Sequence, residues 1–131
     1  MSKKPRILIA DDDAFIRVPL EWILAQEGFE PDTAADGDEC MEKLRSDPPD
    51  LVVLDVMMPG LDGFEVCRRM KDDPKLRQVP VLLLSARGRE HDLERGLALG
   101  AAEYMTKPYS PTDLMLRIRG LLDPCIAGEK R

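Results

Sequence analysis

Three consecutive carboxylates, Asp11, Asp12 and Asp13, directly follow the short apolar run at residues 6–10. A fourth carboxylate, Asp55, follows the run at 51–54, the Ser85 hydroxyl follows 81–84, and the Lys107 ammonium follows the weaker run at 103–106. Crowded carboxylates repel one another, which raises their pKa values unless a cation intervenes. Hard divalent cations with oxygen ligands answer that need, and two or three carboxylates with water positions left open suit Mg2+. Lys107 would add a second positive charge and Ser85 a hydrogen-bond donor, so the same place could take an anion. A carboxylate beside such a cation and a lysine can act as a nucleophile toward phosphate, giving an acyl phosphate. Singly, each residue has a plainer reading. An Asp run after a strand is about as often only a helix N-cap, a role that suits Asp13. Asp55 alone could be a turn residue, Ser85 a cap and Lys107 a surface charge. Their joint occurrence after four separate apolar runs is what argues for one site.

The elements that must position these groups are legible from the same runs. Short stretches of Val, Ile and Leu without alternation are typical of strands buried on both faces of a parallel sheet. Segments of helical period lie between them. Phe64, Cys67 and Met70 follow Asp62-Gly63. Leu93, Leu97 and Leu99 share a segment with Asp92, Glu94 and Arg95 that Gly100 stops. Leu114, Ile118, Leu121 and Leu122 follow the start signal Ser110-Pro111-Thr112-Asp113. The alternation predicts an open α/β sheet with right-handed crossovers, βα repeated five times. A further strand at 30–34 belongs at the sheet edge, because its Pro31 cannot donate to a central ladder. Sites in such sheets form at the carboxyl edge of the strands, where all four polar groups fall. The opposite edge, with Gly28-Phe29, Pro48-Pro49, Val79-Pro80 and Gly100, offers no comparable set. Pro19, inside the helical stretch 14–27, predicts a kink or a late start, since an interior proline costs ~3 kcal/mol or more.

With 131 residues, 34% charged and 44% hydrophobic, the chain fits one domain with one packed core. Residues 1–123 read as that domain and 124–131 as a C-terminal tail. No apolar run approaches the roughly 18 residues of a membrane span, and the start MSKKPRILIA lacks a signal peptide's apolar stretch, so a cytoplasmic protein is expected. Cys40, Cys67 and Cys125 show no Cys-x-x-Cys spacing, which disfavours a disulfide framework or a zinc site. A net charge of −6 disfavours direct nucleic-acid binding. His91, among Arg89, Glu90 and Asp92, reads as a surface residue, residues 71–77 as a mixed-sign solvated loop, and Met58 as packing.

The segments ILIADDD, PDLVVLDVMMPGLDG, VPVLLLSA and YMTKPYSP resemble the receiver domain of bacterial two-component response regulators, in the CheY-like manner. The resemblance covers about residues 5–122, and the intervals from Asp55 to Ser85 and to Lys107 match the family pattern. It implies a doubly wound, flavodoxin-like (βα)5 fold with strand order 2-1-3-4-5. It also implies that Asp55 is the phosphoacceptor, that Asp12 and Asp55 ligate Mg2+ directly, and that Asp11 does so directly or through water. The Met57 backbone carbonyl would be a further ligand. Ser85 and Lys107 would bind the phosphoryl oxygens, with Lys107 preceding a cis Pro108, and Tyr104 would be the aromatic switch that turns inward with Ser85. A sensor histidine kinase would be the donor. The domain would be a switch rather than an enzyme, apart from promoting its own phosphotransfer and dephosphorylation.

The sequence also departs from that pattern. Ser85 stands where the family often has Thr, which keeps the donor and loses a methyl. Pro19 is unusual in the first helix, whose start contacts kinases in relatives. Met57 and Arg87 occupy the two positions that tune dephosphorylation in relatives, and their bulk implies a phosphoryl lifetime longer than that of fast-cycling chemotaxis-like regulators. Arg95, Glu103, Asp113 and Arg117 resemble the dimerisation face of winged-helix regulators, formed by the fourth helix, fifth strand and fifth helix, although Ala102 replaces an acid usual there. Solvated surface pairs worth ~0–1 kcal/mol each are the plainer alternative for these four. Two other functions compete. A haloacid-dehalogenase-type phosphohydrolase would want an acid two residues after Asp55, where Met57 stands. A phosphorylation-independent interaction or dimerisation module with the receiver fold would predict missing site residues, yet Asp11, Asp12, Asp55, Ser85 and Lys107 are all present.

Overall fold

The computed structural model describes residues 4–86 and 90–122, so the tail at 124–131, Cys125 and Arg87 lie outside the described residues. Strands β1 (Arg6–Ala10), β2 (Glu30–Ala34), β3 (Leu51–Asp55), β4 (Val81–Ala86) and β5 (Glu103–Lys107) alternate with helices α1 (Ala14–Gln26), α2 (Gly37–Ser46), α3 (Gly63–Asp72), α4 (Glu90–Ala98) and α5 (Pro111–Leu122). The strands form one parallel sheet in the order β2-β1-β3-β4-β5. This is the expected architecture, with β2 at the edge and its Pro31 opposite Ile7.

Alternate residues of the central strands feed two core layers. Leu8, Val52, Leu54, Val81 and Leu83 pack with Cys40, Met41 and Leu44 of α2 and Phe64, Val66, Cys67 and Met70 of α3. Ile7, Ile9, Leu51, Val53, Leu82 and Leu84 pack with Leu20 and Leu24 of α1 and Leu114, Met115 and Ile118 of α5. Burial of both faces is why these strands carry unbroken apolar runs. Met58 joins the first layer, as expected of a packing residue. Cys40 and Cys67 are free and buried, and burial pushes the Cys40 thiol up to about 12, far from a reactive thiolate.

Helix starts follow local capping chemistry. The side chains of Asp13, Asp36 and Asp62 accept the backbone N–H groups of Phe15, Glu39 and Glu65. Pro111 opens α5, where its missing N–H costs nothing, and Ser110 accepts the Asp113 N–H at 3.3 Å. Gly100 ends α4 with φ +98°, and the Ala101 N–H then reaches back to the Gly96 carbonyl at 3.0 Å.

Four expectations change. First, of the kink or late start expected at Pro19, the late start is excluded: Asp13 caps α1 at Ala14 and the helix continues through Pro19. Pro19 is exposed, so water can take the Phe15 carbonyl that it leaves without a donor. Second, α4 is turned from its leucine pattern. Leu93 and Leu97 are 40% and 49% exposed, while Asp92 and Gly96 face inward. Gly96 lets the helix approach β4 so closely that a methyl there would come 2.5 Å from Leu83 Cδ1. Third, residues 71–77 are not wholly solvated, since α3 runs to Asp72 and Leu76 is fully buried. Fourth, the opposite sheet edge does carry charge: Arg6 pairs with Asp47 at 3.2 Å, and its backbone N–H donates to Asp50 at 2.7 Å. Asp47 is 75% exposed there, so this is a solvated pair of small worth.

Candidate phosphoacceptor site

Three strand ends converge on one buried charge cluster. Asp11 follows β1, and its backbone N–H donates to the Ala34 carbonyl at 3.1 Å, tying the loop to β2. Asp55 is the last residue of β3, and the next backbone N–H, of Val56, donates to the Leu84 carbonyl at 2.9 Å. Lys107 ends β5 ahead of a cis Lys107–Pro108 bond, as expected. Its ammonium lies 3.0 Å from Asp11 Oδ2 and 3.2 Å from Asp55 Oδ1. Oxygens of Asp11, Asp12 and Asp55 all lie within 4.8 Å of one another. Asp11 and Asp55 are buried and Asp12 is exposed, so the cluster opens to solvent on the Asp12 side.

The loop after β3 is held in place by close approach of its backbone. The Gly63 N–H donates to the Val56 carbonyl at 2.9 Å. A Cβ at Gly63 would meet the Asp55 carbonyl oxygen at 2.5 Å and Val56 Cα at 2.9 Å, so only glycine fits.

The electrostatics follow from this geometry. Burial, and then the charge of Asp11, push Asp55 up to about 6, against the pull of Lys107. For Lys107, burial works against the charge, but the hydrogen bond to Asp11 and the charges of both acids outweigh it and hold the ammonium above the usual lysine range. Three carboxylates around one ammonium leave an excess of negative charge in a half-enclosed space. That excess is the condition under which a hard cation binds.

Ser85 is fully buried on β4, and its hydroxyl donates to Asp92 Oδ2 on α4 at 2.8 Å. Tyr104 is half-buried on β5 and packs against the α2–α3 core layer. Met57 is 55% exposed beside Asp55. The surface residues are paired within the chain. Arg117 lies 2.9 Å from Glu103 and 3.4 Å from Asp113, while the Arg95 guanidinium sits 4.3 Å above the Phe64 ring. His91 is 78% exposed, as expected of a surface residue.

Two neighbours of the site are not evident from sequence reasoning. Arg17 donates to the Asp11 carbonyl at 2.8 Å, clamping the acidic turn from α1. Asp92 reads as one more polar residue of α4, and only the turned seating of that helix brings it to Ser85. Its sole signal in the sequence is that it breaks the leucine pattern.

Residues 7–119 match the response regulator receiver domain. The chain is 42% identical over 118 residues to the phosphate regulon transcriptional regulatory protein PhoB of Rhizobium meliloti, covering 90% of this chain and 52% of that protein. It is 43% identical over 122 residues to the alkaline phosphatase synthesis transcriptional regulatory protein PhoP of Bacillus subtilis, covering 93% and 49%. Among solved structures, the CheY-like response regulator receiver domain protein of Methanospirillum hungatei superposes with a TM-score of 0.87 at 28% identity, covering 93% of this chain and 96% of that one. The chain therefore belongs to the response regulator receiver domain family, the phosphoacceptor module of two-component signalling. It spans about half the length of the curated relatives it matches.

Proposed function

We propose that this domain takes a phosphoryl group onto Asp55 from a phosphohistidine of a sensor histidine kinase, and that the change is read at the α4, β5 and α5 surface. The observation that carries this reading is the Lys107 ammonium held between Asp11 and Asp55, with Asp12 beside them. In the transfer, an Asp55 carboxylate oxygen attacks phosphorus in line and a P–O bond forms. The P–N bond to the kinase imidazole breaks, and the ring nitrogen keeps the electron pair. Lys107 would bind a phosphoryl oxygen from one side and Ser85 would donate to another. At pH 7 Asp55, with its pKa of about 6, is mostly ionised and able to attack.

The donor set fits Mg2+, since it offers three carboxylates with oxygen atoms only. Asp12 and Asp55 would hold the ion with the Met57 carbonyl, and Asp11 directly or through water, because Lys107 and the Asp13 N–H already engage its two oxygens. Bound there, the ion supplies charge neutralisation for the incoming phosphoryl group. No helix among the described residues is long and apolar enough to cross a membrane, which is consistent with a cytoplasmic switch. The domain acts as acceptor rather than as a turnover enzyme, and the exposed Met57 offers no acid for the phosphohydrolase alternative.

Intact mass after incubation with acetyl phosphate, with and without Mg2+, tests the reading. One phosphoryl gain is expected, dependent on Mg2+ and abolished in Asp55→Asn. No gain from acetyl phosphate or from a panel of histidine kinases would replace it with the phosphorylation-independent module.

A further inference from the structure

Ser85 has one hydroxyl proton, and in this structure the proton is committed away from Asp55. The hydroxyl is fully buried and donates to Asp92 Oδ2 at 2.8 Å, and Asp92 is itself only 2% exposed. A hydroxyl donates one hydrogen bond at a time. Ser85 therefore cannot donate to a phosphoryl oxygen on Asp55 until it releases Asp92. Losing the Ser85 donor leaves the buried Asp92 carboxylate less well satisfied and so raises the cost of keeping it in place. Asp92 lies in the first turn of α4, so that cost falls on the helix itself. His91, exposed and with its Nε2 3.8 Å from Asp92 Oδ1, stands on the solvent side of the same carboxylate.

We propose that Asp92 is a latch on Ser85: it holds the hydroxyl in the resting position and passes the loss of that bond to α4 when a phosphoryl group claims the proton. The proposal rests on the phosphoacceptor reading of Asp55. Asp92 is a positioning residue in it, acting through Ser85 without touching the phosphoryl group. The latch opposes phosphoryl binding, so removing it favours the phosphorylated state. A carboxylate that merely capped α4 would have the opposite signature, since its loss would loosen the site and weaken binding.

The test is the affinity for beryllofluoride, a non-transferring phosphoryl mimic, measured by fluorine NMR in the presence of Mg2+. Asp92→Ala is expected to tighten binding about tenfold, the low end of what one hydrogen bond to a charged group contributes. Asp92→Asn keeps an acceptor without the charge and is expected to fall between Ala and wild type, which preserves the test if the alanine variant folds poorly. In a Ser85→Ala background the same Asp92 substitutions should leave affinity within about twofold, because no hydroxyl remains to be held. Unchanged or weaker binding in both single variants, or equal tightening with and without Ser85, would overturn the latch. Failure of the wild type to bind beryllofluoride at all would instead count against Asp55 as phosphoacceptor.

Discussion

Asp55 is held at a disadvantage in the resting protein, and the sign of that disadvantage is measurable. Its carboxyl is raised to about 6 from an ordinary 3.8. Between those values the folded protein keeps a proton that the unfolded chain has released, so stability falls as pH rises from about 4 to about 6. Above that window the buried charge costs about 3 kcal/mol, given 1.36 kcal/mol per pKa unit, with the pull of Lys107 already included in the raised value. Asp55→Asn should therefore be more stable than wild type at pH 7 without divalent cation. That gap should shrink toward pH 4 in urea titrations. Equal stabilities at both pH values would remove burial as the cause. The acid is placed where it is costly to the fold, the usual condition of a group kept for chemistry. The types and order of Asp11, Asp55, Ser85 and Lys107 are readable from sequence because each follows an apolar run. The 3.0 and 3.2 Å contacts of Lys107 are not, since they depend on how β5 lies across β4 from β3.

Among the elements, strands were the most legible and α4 the least. A strand buried on both faces must be apolar at every position, and residues 51–54 and 81–84 leave no other reading. Helix α4 misleads because hydrophobic periodicity does not register a glycine or a buried carboxylate. Leu93 and Leu97 look like a core stripe, but Gly96 allows the closer approach and Asp92 supplies the polar contact, so the other face turns inward. The loop from β3 to α3 has a comparable steric secret in Gly63. Its would-be Cβ meets backbone atoms that cannot swing aside. Gly63→Ala should destabilise the fold by about 2 kcal/mol, in the range of overpacked sites. It should also slow phosphorylation of Asp55, read as the initial rate of mass gain from acetyl phosphate. A variant with wild-type stability and rate would show that this loop tolerates the displacement.

At the scale of the whole molecule, the charges of the surface expected to pair with a second copy are already paired within the chain, although the buried Arg117 Nε has no hydrogen-bond acceptor among the described residues. Arg117 is shared by Glu103 and Asp113, and Arg95 lies on Phe64. The exposed Leu93 and Leu97 stand one turn apart on the same helix as Arg95. Dimerisation through this face would need those internal pairs to be exchanged, so it should be absent at rest and appear with beryllofluoride. Light scattering at high concentration checks this, and Leu97→Glu should keep the activated protein monomeric. An activated wild-type protein that stays monomeric would leave these charges as solvated pairs.

The glycine under α4 has a mechanical consequence as well. Interlocked side chains resist sliding, because each must leave its rotamer before a helix can advance. At Gly96 no side chain is seated against Leu83, so α4 meets the sheet there on a smooth track. A helix in that position can shift without a side chain at Gly96 having to change rotamer, and the Ser85–Asp92 bond is one of the ties that set where it rests.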